Sequence, residues 1–173
     1  MDWSAFLSET QSVVTTVVGA ISSGLALLIG LYFIASGLNK MVAYSKGFRQ
    51  GQPTVGPVAL NLGIGAMLMQ FARTVNMLIH SVFGSDPSSP SDAMAYVPAQ
   101  VANSEMLRDL VQAGILWMFA IGVVAVLRGL ILWNEISSGS GRTSDNGWKG
   151  LWHIVFGALA INMTGILKMF HGS

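Results

Sequence analysis

Three cations, Lys40, Lys46 and Arg49, stand in one short stretch, NKMVAYSKGFRQGQP, with no acid among them and with Tyr44 and Phe48 between. Such side chains beside an apolar segment meet phosphate. The phosphate is either a lipid headgroup at a membrane surface or, if several loops gather around a tube, the backbone of a polyanion such as DNA. Catalytic chemistry finds no comparable cluster. His80, His153 and His171 are scattered, no two carboxylates lie together inside an apolar run, and there is no cysteine. A phosphate-cradling glycine loop and a metal-ligand spacing are both missing from the sequence. Met67 and Met69 are two apart and face apart on a helix, so the methionines read as apolar packing rather than a copper site. No catalytic residue, no metal ligand and no intramembrane enzyme is expected.

The elements that position the cationic stretch follow from composition. The chain is 52% apolar and only 10% charged, whereas soluble domains carry about a quarter charged residues. An all-α integral membrane protein is the expected class. Charge-free runs cover Thr10 to Asn39, Pro53 to Ala72 (with its helix continuing to about Phe83) and Gly150 to Leu167. A further apolar run, Leu110 to Trp133, is interrupted only by Arg128. A spanning helix needs about 20 residues, so four transmembrane helices are expected, arranged as two hairpins.

Residues 1–83 form the first hairpin and residues 106–173 the second. Between them, residues 84–105 carry Pro87, Pro90 and Pro98 with several serines, the composition of an external linker, and Asn103 or Ser104 could cap the helix that follows. The start, MDWSAFLSETQS, has no basic residue and is not a signal peptide. Trp3, Phe6 and Leu7 read there either as a helix start or as a short interfacial helix.

Five of the nine basic residues collect at one level, Lys40, Lys46 and Arg49 between spans one and two and Arg142 and Lys149 between spans three and four, while Arg73, Arg108 and Lys168 fall at the other ends. The positive-inside rule places both loops in the cytoplasm and both termini outside. Inside the spans, Asn61, Gln70 and Asn162 read as interhelical hydrogen-bonding amides. Arg128 reads as snorkelling to headgroups, as a lipid-phosphate contact, or as an ion pair with Glu135. Gln70, Arg73, Thr74, Met77 and His80 share one helix face, a lumen or protein contact.

An offset of 92 positions brings Gly30 onto Gly122, Gly37 onto Gly129, Gly65 onto Gly157 and Gln70 onto Asn162. It points to an internal duplication of one hairpin, against the alternative of shared glycine bias. Gly30 and Gly37, and likewise Gly122 and Gly129, lie seven apart on one face, where small residues let membrane helices approach closely. Gly19 with Ser23 and Ser22 with Ala26 repeat the small-residue spacing. These faces serve packing either within one subunit or between copies.

The residues SGLNKMVAYSKGFRQGQPTVGPVALNLGIGAMLMQF (36–71) and GLWHIVFGALAINMTGILKMF (150–170) give a pattern that resembles small multi-span proteins of conjugation and type IVB secretion systems, the TraQ and IcmC (DotE) kind. The resemblance implies a structural component of a bacterial inner-membrane apparatus that moves DNA or effectors. Its implied partners are copies of itself, membrane phospholipid, other secretion or conjugation components and transported DNA in a lumen. Bound phospholipid is the one ligand implied, with no other cofactor.

Each half also resembles a conjugative pilin, two apolar helices whose cytoplasmic loop faces the lumen of an extracellular tube containing phospholipid. By that resemblance Lys40, Lys46 and Arg49 line the lumen or meet lipid phosphates. The chain departs from the pilin pattern in its second loop, where Glu135 and Asp145 offset Arg142 and Lys149, and in lacking a pilin-type cleaved leader. The alternative function is a stand-alone small channel or holin-like pore.

Overall fold

The computed structural model describes residues 3–46, 55–84, 104–136 and 143–171, and all the elements among these are helices. Helix α1 (Trp3–Gly19) passes through a π-helical turn, Ala20–Leu25, into α2 (Ala26–Ser45). Then come α3 (Val55–Met69), α4 (Phe71–Phe83), α5 (Glu105–Ile136), α6 (Thr143–Ile161) and α7 (Met163–His171). The all-α expectation holds. Trp3 and Phe6 stand on the same unbroken helix as Thr10. Ser104 accepts the first bond of α5, from the Arg108 N–H at 3.0 Å, which is the N-cap position. Of the expected linker, residues 85–103 lie outside the described residues.

The count of spans differs from the expected four. Two helical stretches are long and apolar enough to cross a membrane, Ser8–Ser45 and Glu105–Ile136. A third is added if α3 and α4 count as one, but they are bent by 98°. The expected straight second span therefore turns sharply at Gln70. The expected fourth span, Gly150 to Leu167, is divided at Asn162 into α6 and α7. Past Lys149, α6 runs only from Gly150 to Ile161, short of the ~20 residues a crossing needs.

Each hairpin closes along a seam where two backbones meet. A Cβ placed on Gly30 would lie 2.8 Å from the Gly65 carbonyl oxygen, and one on Gly65 would lie 2.9 Å from the Gly30 carbonyl oxygen. The second hairpin repeats this. A Cβ on Gly122 would lie 2.7 Å from the Gly157 oxygen, and one on Gly157 would lie 2.8 Å from the Gly122 oxygen. Real side chains do not fit at such separations, so only glycine permits the contact. The offset of 92 noted in the sequence relates the two pairs.

It also relates the two helix breaks. In the first, the Gln70 N–H bonds the Ala66 oxygen (3.3 Å) and the Thr74 N–H bonds the Gln70 oxygen (2.9 Å). In the second, Asn162 bonds Ala158 (3.0 Å) and Ile166 bonds Asn162 (3.1 Å). At the first elbow the Thr74 hydroxyl donates to the Met67 carbonyl at 2.8 Å. That carbonyl would serve the Phe71 N–H in a straight helix, and a hydroxyl partner lets the backbone leave the helical path without a stranded polar group.

The turn at Ala20–Leu25 has a comparable local cause. The Ala26 N–H reaches back to the Ile21 oxygen, while the Ser22 and Ser23 hydroxyls donate to the Val18 and Gly19 carbonyls at 2.7 and 2.6 Å. Hydroxyls bonding back along a helix loosen its ladder, and the widened turn accommodates one residue more than an α-turn.

The shared core joins the hairpins. Ala26, Phe33, Ile64 and Leu68 of the first cluster with Val123, Val126, Leu130, Ile154 and Ala158 of the second. Phe71, Val75 and Ile79 of α4 are buried at successive turns, so α4 folds back onto this core. Gly84 ends α4 in the left-handed conformation (φ 65°), its N–H on the His80 oxygen at 2.8 Å, a glycine helix stop.

The seam makes a sharp prediction. Gly122→Leu and Gly157→Leu should each lower stability by about 1–3 kcal/mol, the cost of overpacking. Gly114→Ala, on α5 at a position with nothing within 4 Å, should cost nothing. Thermal unfolding in mild detergent compares the three.

Candidate functional site

The cationic tip of the first hairpin is built from the end of α2. Lys40 is half-buried one turn past Gly37, whose own Cβ position is crowded by Leu62 and Asn61. Below it, the Asn61 amide donates to the Ser36 hydroxyl at 3.3 Å, so one of the three expected amides does bridge two helices. Lys46 is exposed and caps α2, its N–H on the Tyr44 oxygen. Arg49 lies outside the described residues. The single ion pair among the described residues is Lys149–Asp145, so neither Lys40 nor Lys46 is neutralised by a carboxylate there. The tip presents net positive charge to whatever adjoins it.

The second tip is built differently. Lys149 pairs with Asp145 at 2.6 Å. The Asn146 amide donates to Glu135 at 3.0 Å, and the Trp133 indole donates to the Gly147 carbonyl at 3.0 Å. Among the described residues, Lys149 and Glu135 of this tip both find partners within the tip. Outside it runs an aromatic ladder on one face of α6: Trp148 meets Trp152 edge-on at 5.3 Å, and Trp152 stacks on Phe156 at 5.1 Å. All three rings are exposed. Exposed tryptophans beside a charged helix end are the composition of a membrane–water boundary.

Arg128 is exposed on α5, between buried Leu127 and the seam residue Gly129. It makes no ion pair with Glu135 within 4 Å among the described residues, which removes that alternative and leaves snorkelling or a lipid-phosphate contact. At the offset of 92 its counterpart is Ser36, which faces Asn61. The first hairpin thus spends that position on an interhelical bond, whereas the second turns a cation outward.

Gly30, Gly37, Gly122 and Gly129 are all buried in the seams. A Cβ on Gly129 would meet the Gly150 oxygen at 2.7 Å and Ile154 at 2.6 Å. The receiving partners Gly65, Gly150 and Gly157 were not singled out as packing positions from sequence, although the offset aligns two of them. Gly19 and Gly24 have nothing within 4 Å, so those small positions serve no contact inside the subunit. Ala26, by contrast, is fully buried.

Among the described residues Lys40, Lys46 and Arg128 are cations with no carboxylate within 4 Å, on a scaffold of glycine-closed hairpins. Comparison with protein-family models, with curated proteins and with solved structures finds no match for this chain.

Proposed function

We propose that this chain is a structural, self-assembling subunit of a bacterial conjugation or type IV secretion apparatus, resident in the inner membrane. One observation carries the reading. In the most apolar stretch of the 38-residue helix Ser8–Ser45 only 17% of residues are buried, against 44% in Glu105–Ile136. A long apolar helix that uncovered needs lipid or further protein around it, and its open Gly19 and Gly24 allow another helix to approach closely. Neighbouring copies supply that protein.

In this reading both hairpins are embedded in the bilayer, as a duplicated unit, with the tips cytoplasmic. The short, broken second and fourth segments are tolerated because their backbone is covered by α2 and α5. Lys40, Lys46 and Arg49 face lipid phosphate or, in an assembled pilin-like tube, the transported DNA. Arg128 reaches a lipid phosphate near the second tip. The assignment to a conjugation or secretion system rests on the resemblance carried by residues 36–71 and 150–170. A stand-alone channel or holin-like pore is the second reading, favoured by the same uncovered helix; it requires ion leakage or lysis from the chain expressed alone.

Extracted in mild detergent, the protein should run as a large homo-oligomer and cross-link to higher species in cells. A stable monomer by both measures would contradict self-assembly. Neutralising Lys40, Lys46 and Arg49 together to glutamine should reduce transfer severely in a mating assay while membrane insertion stays normal. Undiminished transfer would remove the phosphate-facing role of the tip.

A further inference from the structure

The first elbow encloses a groove of about 520 Å3 at the opposite end of α3 from the cationic tip, lined by Ala66, Met67, Gln70, Arg73, Thr74 and Met77 among others. Helix α3 is 15 residues long, about 22 Å at 1.5 Å per residue, so the groove and the tip are separate features. We propose that this groove is a binding site for an anionic membrane phospholipid, with the phosphate on Arg73 and an acyl chain along Ala66, Met67 and Met77.

The chemistry is that of an amphiphile. The walls are mainly apolar, and the cationic group among the lining residues is the Arg73 guanidinium. It has no carboxylate within 4 Å among the described residues. The Gln70 side-chain oxygen accepts from it at 3.5 Å, a long bond that orients the guanidinium while leaving most of its donors available. The Gln70 amide nitrogen is then free to donate to a second headgroup oxygen. The Thr74 hydroxyl is used on the Met67 carbonyl, so it shapes the groove rather than binding ligand. A guanidinium matches a phosphate with two parallel N–H donors.

The placement agrees. Helix α4 leaves α3 at 98°, packs Phe71, Val75 and Ile79 on the core and exposes apolar Met77 and Val82 beside polar Arg73, Asn76 and His80. A helix turned away from the direction of a span, with exposed apolar and polar groups together, suits the headgroup layer, which brings Arg73 to phosphate level.

The second hairpin offers an internal comparison. Its helix is interrupted at Asn162, and at the offset of 92 Gly165 replaces Arg73 and Ile166 replaces Thr74. Asn162 and Thr164 are buried there at 1% exposure each, and a Cβ on Gly165 would strike the Asn162 side chain at 2.6 Å. The helix interruption at Asn162 has no arginine at the position equivalent to Arg73, so such a break does not itself require that cation.

The proposal rests on the membrane location. If that reading fails, the chain will not enter nanodiscs at all, an outcome separable from the failure of the site. The test places a fluorophore on His80→Cys, on α4 beside the groove, in the otherwise cysteine-free full-length chain. Nanodiscs are doped with phosphatidylglycerol or phosphatidylcholine carrying brominated acyl chains, which quench on contact.

Half-maximal quenching should need about tenfold less phosphatidylglycerol than phosphatidylcholine, the worth of one charged hydrogen-bonding contact. Arg73→Gln should abolish that difference. Ala66→Phe, which fills the groove and keeps the charge, should weaken quenching by both lipids. Equal quenching by the two lipids in the unsubstituted protein would overturn the site. So would a difference that survives Arg73→Gln, and so would its abolition by millimolar inorganic phosphate, which would mark a soluble-anion site instead.

Discussion

Each hairpin depends on two peptide backbones coming into direct contact. At Gly30 with Gly65, and at Gly122 with Gly157, the space a methyl group would need is already occupied by a carbonyl oxygen of the facing helix. At that range the helices gain dispersion along their whole length and weak Cα–H contacts to carbonyls. Both gains survive in an apolar solvent, where burial of apolar surface no longer drives association. Because the seam closes each hairpin on one face, the other faces remain available. The first helix in particular stays largely uncovered, and the proposed self-assembly rests on that surplus of apolar surface.

The two halves show how one scaffold acquires different surfaces. The same seam recurs at an offset of 92, with a helix interruption at the matching position, yet the polar groups around them differ. The second tip is closed by Lys149 on Asp145, Asn146 on Glu135 and Trp133 on Gly147. The first leaves Lys40 and Lys46 without a carboxylate partner among the described residues. The elbows diverge likewise, with Arg73 at the first and Gly165 at the second.

The seam was legible in the sequence because glycines seven apart stay on one helix face, so Gly30, Gly37, Gly122 and Gly129 announced it. Their partners were harder to read, since Gly65, Gly150 and Gly157 become meaningful only once the hairpin is closed. The elbows left almost no local signal. Neither Gln70 nor Asn162 is a proline or a glycine, and an amide inside an apolar run reads as an interhelical hydrogen bond. The first elbow becomes visible only in the folded chain, where the Thr74 hydroxyl takes the Met67 carbonyl and Phe71 and Ile79 are buried on the core. For that reason the second and fourth segments were counted as straight spans. Arg128 and Glu135 form no ion pair among the described residues, where the Asn146 amide of the next helix donates to Glu135.

The central claim is that one glycine-seamed hairpin is built twice, and paired cysteines test it most directly. The Asn61 amide and Ser36 hydroxyl are 3.3 Å apart in the first hairpin, and the offset of 92 carries that pair onto Arg128 and His153. In native membranes, S36C with N61C and, separately, R128C with H153C should each form a disulfide within one chain under mild oxidation. A second pair that stays reduced while the first cross-links, or that links only between chains, would contradict the repeated hairpin.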